Sequence, residues 1–140
     1  MRIKLQYKAG QWTKAERKKI LQAVTWGMKT IGLNEKGMKL KVVLNADPTV
    51  YGDAFYDDDL TCTIRVSSKD KKKDRDLRTV FHELWHIHQY LNQGLDLGEK
   101  AMFAGKEYEY DYWNAPWELA ARKKEKSLLA KYKKYLDNSA

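Results

Sequence analysis

At 140 residues the chain suits a single folded domain over 1–140 and is long enough to bury a core. Five tryptophans and nine tyrosines argue against disorder, and one cysteine, Cys62, excludes an internal disulfide and any zinc finger or ribbon built from thiolates. The formal charge of +8 leaves nucleic acid, anionic membranes and acidic protein segments as conceivable partners. No apolar run approaches the roughly 18 residues of a membrane span and no signal peptide is readable, so a cytoplasmic protein is expected.

Residues 2–7 alternate polar and apolar side chains and predict a strand. Thr13 and Glu16 form a capping box for a helix over about 13–31, with Ile20, Val24, Met28 and Ile31 on one face. Leu40, Val42 and Leu44 predict a second strand, and the stretch from Tyr51 to Tyr56 a third. Leu60, Cys62, Ile64 and Val66 alternate with Thr61, Thr63, Arg65 and Ser67, the clearest strand in the chain, which points Cys62 at the core. A charged loop, Ser68 to Asp74, leads to a helix over about 75–93 that Gly94 ends. Residues 94–113 show no clear period, and a last helix runs from about Pro116 to Leu136, its proline in the first turn. The order implies an α+β domain, a small mixed sheet backed by helices.

The chemistry concentrates in His82-Glu83-Leu84-Trp85-His86. On a helix, histidines four apart project from one face and can share a metal ion, while the intervening Glu83 can act as general base without ligating. Helical phase puts Leu77, Val80, Phe81, Leu84, His88 and Leu91 on the core stripe and His82 and His86 on the far side. His88 is thereby assigned to packing or to support of the ligands.

A catalytic zinc needs a third ligand and one open position, and no histidine follows His88. The third ligand is therefore acidic. The best candidate is Glu118, which falls in line with Ala121, Leu129, Tyr132 and Leu136 on the inward stripe of the last helix. Glu107, Glu109 and Asp111 are the alternatives, and Glu118 can also be read as favouring the helix dipole or pairing with Arg122.

His82-Glu83-x-x-His86 followed by Glu118 resembles the gluzincin branch of zinc peptidases, above all the small single-domain minigluzincins and the HExxH proteins of phages and bacteria. The resemblance covers roughly residues 60–125. It implies a zincin-like fold, zinc held by His82, His86 and Glu118, and Glu83 as general base and acid in peptide-bond hydrolysis. It also implies a peptide or protein substrate laid along an edge strand near 60–66, and an oxyanion-stabilising tyrosine for which Tyr108, Tyr110 and Tyr112 are candidates. Two other readings compete. One is a zincin that keeps its metal but is inactive or latent. The other is a nucleic-acid-binding module in which Lys123, Lys124, Lys126, Lys131, Lys133 and Lys134 contact phosphates. Oligomeric state is not readable.

Overall fold

The computed structural model describes residues 2–33, 37–45, 51–58, 60–67, 72–109, 111 and 114–139. Strand β1 (Arg2–Tyr7) leads into helix α1 (Lys14–Ile31), then β2 (Lys39–Leu44), β3 (Gly52–Asp58) and β4 (Thr61–Val66). A 3-10 turn (Lys72–Asp74) precedes α2 (Arg75–Asn92). Three short strands follow, β5 (Asp96–Leu97), β6 (Ala101–Phe103) and β7 (Lys106–Tyr108), and then α3 (Pro116–Ser139). The architecture is mixed α+β, with three helices and two sheets among the described residues.

The main sheet has the order β1-β2-β4-β3. β1, β2 and β4 run parallel, while β3 pairs antiparallel with β4 at the end of the sheet. This corrects the expectation that residues 60–66 form the edge. β4 lies between β2 and β3, and β3 is an edge strand, with β1 at the other edge. Alternation identified which face of each strand is buried, but it carries no information on strand order.

One sheet face carries Leu40, Val42, Leu44, Cys62, Ile64 and Val66, each at most 1 % exposed, against helices α1 and α2. α1 starts on the predicted capping box, Thr13 Oγ1 accepting from the Glu16 N–H and the Glu16 carboxylate from the Thr13 N–H. It ends on Gly32, whose positive φ of 88° lets its N–H reach the last-turn carbonyls. Gly27 lets α1 approach α2 closely, because a Cβ there would lie 2.7 Å from Leu84 Cδ1. At the outer end of the helical layer, Trp26 of α1, Phe81 of α2 and Tyr132 of α3 pack edge to face and tilted, with centroids 5.1–5.6 Å apart.

Two core positions differ from the predicted stripes by one residue. Ile87, not His88, occupies the buried position of α2, and Leu128, not Leu129, that of α3. His88 instead lies over Trp85 with centroids 4.4 Å apart, and its Nδ1 meets the Asn92 side-chain amide. Leu136, expected on the inward stripe, is exposed. The segment without readable period contains the second sheet, β5-β6-β7, antiparallel throughout. Its satellite core joins Leu95, Ala115 and Trp117, with Phe103 and Tyr108 packed against it.

No helix among the described residues is long and apolar enough to cross a membrane. Cys62 is fully buried, and burial together with the nearby Asp57 pushes its thiol up to about 12. Thiolate is therefore scarce in the native protein at pH 8. A thiol reagent should leave the native chain unmodified over hours and titrate one thiol as soon as denaturant is added; prompt native labelling would contradict the core placement.

Candidate metal centre

α2 and α3 lie side by side, and their facing side chains build the site. His82 and His86 are one turn apart on α2 and both turn their Nε2 atoms towards Glu118 in the first turn of α3. His82 Nε2 lies 3.0 Å from Glu118 Oε1, His86 Nε2 2.9 Å from Glu118 Oε2, and the two Nε2 atoms are 3.2 Å apart. One ligand atom from each of the three residues falls within 4.8 Å of the others, and these three are brought together as a group able to hold a metal ion. Of the alternatives, Glu107 pairs loosely with Lys100 at 3.8 Å and Asp111 bonds Asn114. Neither joins the cluster, nor does the exposed Glu109.

Both imidazoles are held from behind by groups that sequence reasoning missed. His86 Nδ1 lies 2.7 Å from Gln89 Oε1, and the same amide donates through Nε2 to the Trp117 carbonyl at 2.9 Å. Because Gln89 uses its NH2 on Trp117, its oxygen faces His86, so His86 Nδ1 donates to it, leaving Nε2 to bind an ion or, without one, to share a proton with Glu118. Glu125 Oε1 accepts from His82 Nδ1 at 2.9 Å and fixes the same tautomer. Gln89 is three residues after His86 and Glu125 two turns after Glu118. A polar residue repeated on a ligand-bearing face was the available signal.

Two imidazole nitrogens and one carboxylate, with the rear nitrogens occupied, form a donor set suited to zinc. Without an ion, protons serve instead. Burial alone would lower the His82 pKa, but hydrogen bonds to Glu118 and Glu125 outweigh it and raise it to about 10. Burial likewise works to raise Glu118, and the two histidines overcome it, holding the carboxyl at about 2.

Glu83 is different. It is 6 % exposed, and no hydrogen bond to it is found among the described residues. Burial pushes its pKa up to about 7, with His86 and His82 offsetting part of the rise. It faces a cleft of about 730 Å³ walled by β3 on one side and by Leu95 to Gly98 on the other, with His86 and Glu118 at its floor. Gly52 lets β3 come this close: a Cβ there would lie 2.6 Å from both the Arg65 carbonyl oxygen and Thr79 Cγ2, and 3.4 Å from Glu83 Cγ.

Of the tyrosines expected near the site, Tyr108 packs against Trp117 and does not line the cleft, and Tyr110 and Tyr112 lie outside the described residues. Tyr56 and Tyr90 line it instead. Among the lysines read as phosphate contacts, Lys124 sits over the Trp85 ring at 4.7 Å and Lys133 pairs with Asp74 at 2.5 Å. Comparison with protein-family models, with curated proteins and with solved structures finds no match.

The shifts set the pH dependence of the metal-free protein. His82 is raised above its unfolded value of 6.5, so its contribution is complete below that pH and is lost as pH rises through about 10. Glu118 is lowered, so its contribution is complete above 4.5 and is lost as pH falls through about 2. Glu83 is raised, so the penalty for ionising it grows between 4.5 and about 7. Chelator-treated protein should therefore have its highest urea midpoint near pH 5 and lose stability steadily towards pH 10. A midpoint that rises across that range would contradict the cluster.

Proposed function

We propose that this chain is a zinc-dependent peptidase of the gluzincin type with a zincin-like fold. The observation that carries the reading is the convergence of His82 Nε2, His86 Nε2 and the Glu118 carboxylate beside a buried carboxyl, Glu83, that makes no hydrogen bond among the described residues and opens onto the cleft. The mixed sheet with an antiparallel edge strand, the HExxH helix beneath it and the third donor on a following helix support the zincin-like reading.

His82, His86 and Glu118 would hold the ion. Zinc bound there supplies Lewis acidity, lowering the pKa of water towards neutrality and polarising a peptide carbonyl. Glu83 takes a proton from water at its carboxylate oxygen and returns it to the departing amine; a pKa near 7 suits both transfers. Gln89 and Glu125 keep the imidazole lone pairs aimed at one point. The backbone of β3 aligns an extended peptide over Glu83, and Tyr56 and Tyr90 are the tyrosines that line the cleft where an oxyanion would develop.

Purified protein should carry about one zinc per chain. His82→Ala and Glu118→Ala should lose it. Glu83→Gln should keep the metal while cleaving peptides about 10²–10⁴-fold more slowly. Absence of zinc from the wild type, or full activity in Glu83→Gln, would remove the proposal.

The supporting residues give a separate test. Glu125→Gln and Gln89→Leu should weaken zinc affinity by about 10–100-fold, read by competition with a chromogenic chelator, with the fold intact by circular dichroism. Unchanged affinity in both would mean that the two contacts do not support the ligands.

A further inference from the structure

The chain is strongly basic, with 27 lysines and arginines against 19 acidic residues, yet among the described residues no lysine or arginine lines the cleft. Its charged walls are Asp53, Glu83, Asp96 and Glu118. Among the described residues, two carboxylates have no cationic partner: Asp57 of β3 accepts the Thr63 hydroxyl at 3.0 Å, and Asp96, in the cleft lining, accepts the Gly98 N–H at 3.0 Å. Asp53 is paired with Arg65, whose Nε lies 2.7 Å from Oδ1.

The register of β3 sorts its side chains. Ala54 and Tyr56 pair with Ile64 and Cys62, whose side chains are buried, and so turn towards the helices and the cleft. Asp53 and Phe55 pair with Arg65 and Thr63 and turn to the outer face, at the sheet edge where both still border the cleft, and the Thr63 bond puts Asp57 on that face too. β3 therefore presents Asp53 and Phe55 by alternation on its outer face, and Asp57 joins them beyond an irregularity in the pairing between Tyr56 and Asp58. Phe55 is 43 % exposed and already carries the Arg65 guanidinium 5.1 Å from its ring centroid. The far wall offers Leu95 and Leu97 to the cleft side.

We propose that the cleft selects extended peptides in which Lys or Arg alternates with apolar residues, an assignment that rests on the peptidase reading above. A peptide paired with β3 has the same two-residue period. One set of its side chains enters the cleft against Leu95 and Leu97. The other stands beside Asp53, Phe55 and Asp57, where the Asp57 carboxylate attracts a cation while Asp53 and the Phe55 ring are shared with Arg65. Asp96 adds attraction from the other wall. The basic remainder of the surface repels such peptides elsewhere, so the attraction is confined to the cleft. A second copy of this chain is a poorer occupant, because antiparallel pairing of two β3 strands sets acids against acids.

The test uses zinc-loaded Glu83→Gln protein and three labelled peptides of one length, with leucine alternating with lysine, serine or glutamate, their binding followed by fluorescence anisotropy. The lysine peptide should bind about tenfold tighter than the glutamate peptide. The difference should shrink as salt is added, and Asp57→Lys combined with Asp96→Lys should collapse it. Equal binding, tighter glutamate binding, or a preference unaffected by the double substitution in a folded protein overturns the proposal. So does β3-mediated dimerisation that excludes the peptide. Wild-type cleavage of the same peptides is the separate arm. Selective binding without cleavage upholds this inference and ends the peptidase reading, whereas cleavage without charge preference does the reverse.

Discussion

Glu118 is a carboxylate taken out of water at the start of a helix, and its two oxygens are spent on His82 and His86. A buried charge is tolerated only when partners recover the lost hydration, and leaving one unpaired costs several kcal/mol, of the order of 3–5 kcal/mol. That requirement fixes how α3 lies on α2. A slide of one residue would carry Glu118 away from both imidazoles and Glu125 away from His82 together. At the other end of the interface Phe81 and Tyr132 lock the same register by burial. The chemical cluster and the aromatic cluster therefore constrain a single docking geometry, one by charge and the other by apolar area. Ala121 between them, fully buried, keeps the helices close.

The sequence made the main elements legible because their periods are long enough to have a phase. The capping box of α1, the alternation of β2 and β4 and the ligand face of α2 each rest on several residues that agree. Glu118 was legible for a related reason, as a charge on a stripe otherwise apolar. Where single residues decided, the reading slipped. Ile87 and His88 flank the centre of the same helical stripe, and hydropathy favours Ile87 as the buried one. Leu128 and Leu129 are both apolar, so only the packing against α2 separates them. β5 to β7 are two or three residues each, too short to show a period. That β3 and not β4 lies at an edge was missed for a topological reason, although Asp53 and Asp57 of β3 are the kind of charge that protects an unpaired edge.

Gln89 and Glu125 illustrate a different limit. Each is an ordinary polar helix residue in isolation and acquires a role only when another element supplies the partner. Gln89 needs the Trp117 carbonyl to fix its amide, and a first-turn carbonyl of α3 can accept it on a second lone pair beside the one that serves the helix. The chain thus ties the tautomer of His86 on one helix to the start of the next. Any distortion of that first turn reaches the imidazole through a single amide.

Glu83 is a place where the molecule keeps an unfavourable arrangement at its candidate site. A carboxyl in the same helix turned to solvent would cost nothing, whereas here burial without a hydrogen bond raises its pKa to about 7. The cost is carried by the core on either side of it, since Phe81 and Leu84 on the same turns are fully buried. Gly52 completes the arrangement from the sheet. By omitting a side chain it lets the edge strand press to within contact of Thr79 and Glu83, so that the strand able to align a peptide and the carboxyl able to move a proton share one boundary of the cleft. A larger residue at 52 would separate the two, relieving the burial of Glu83 and returning it towards an ordinary solvated carboxylate. The strained carboxyl and the bare glycine are in this sense one feature, and each is explained only by the other.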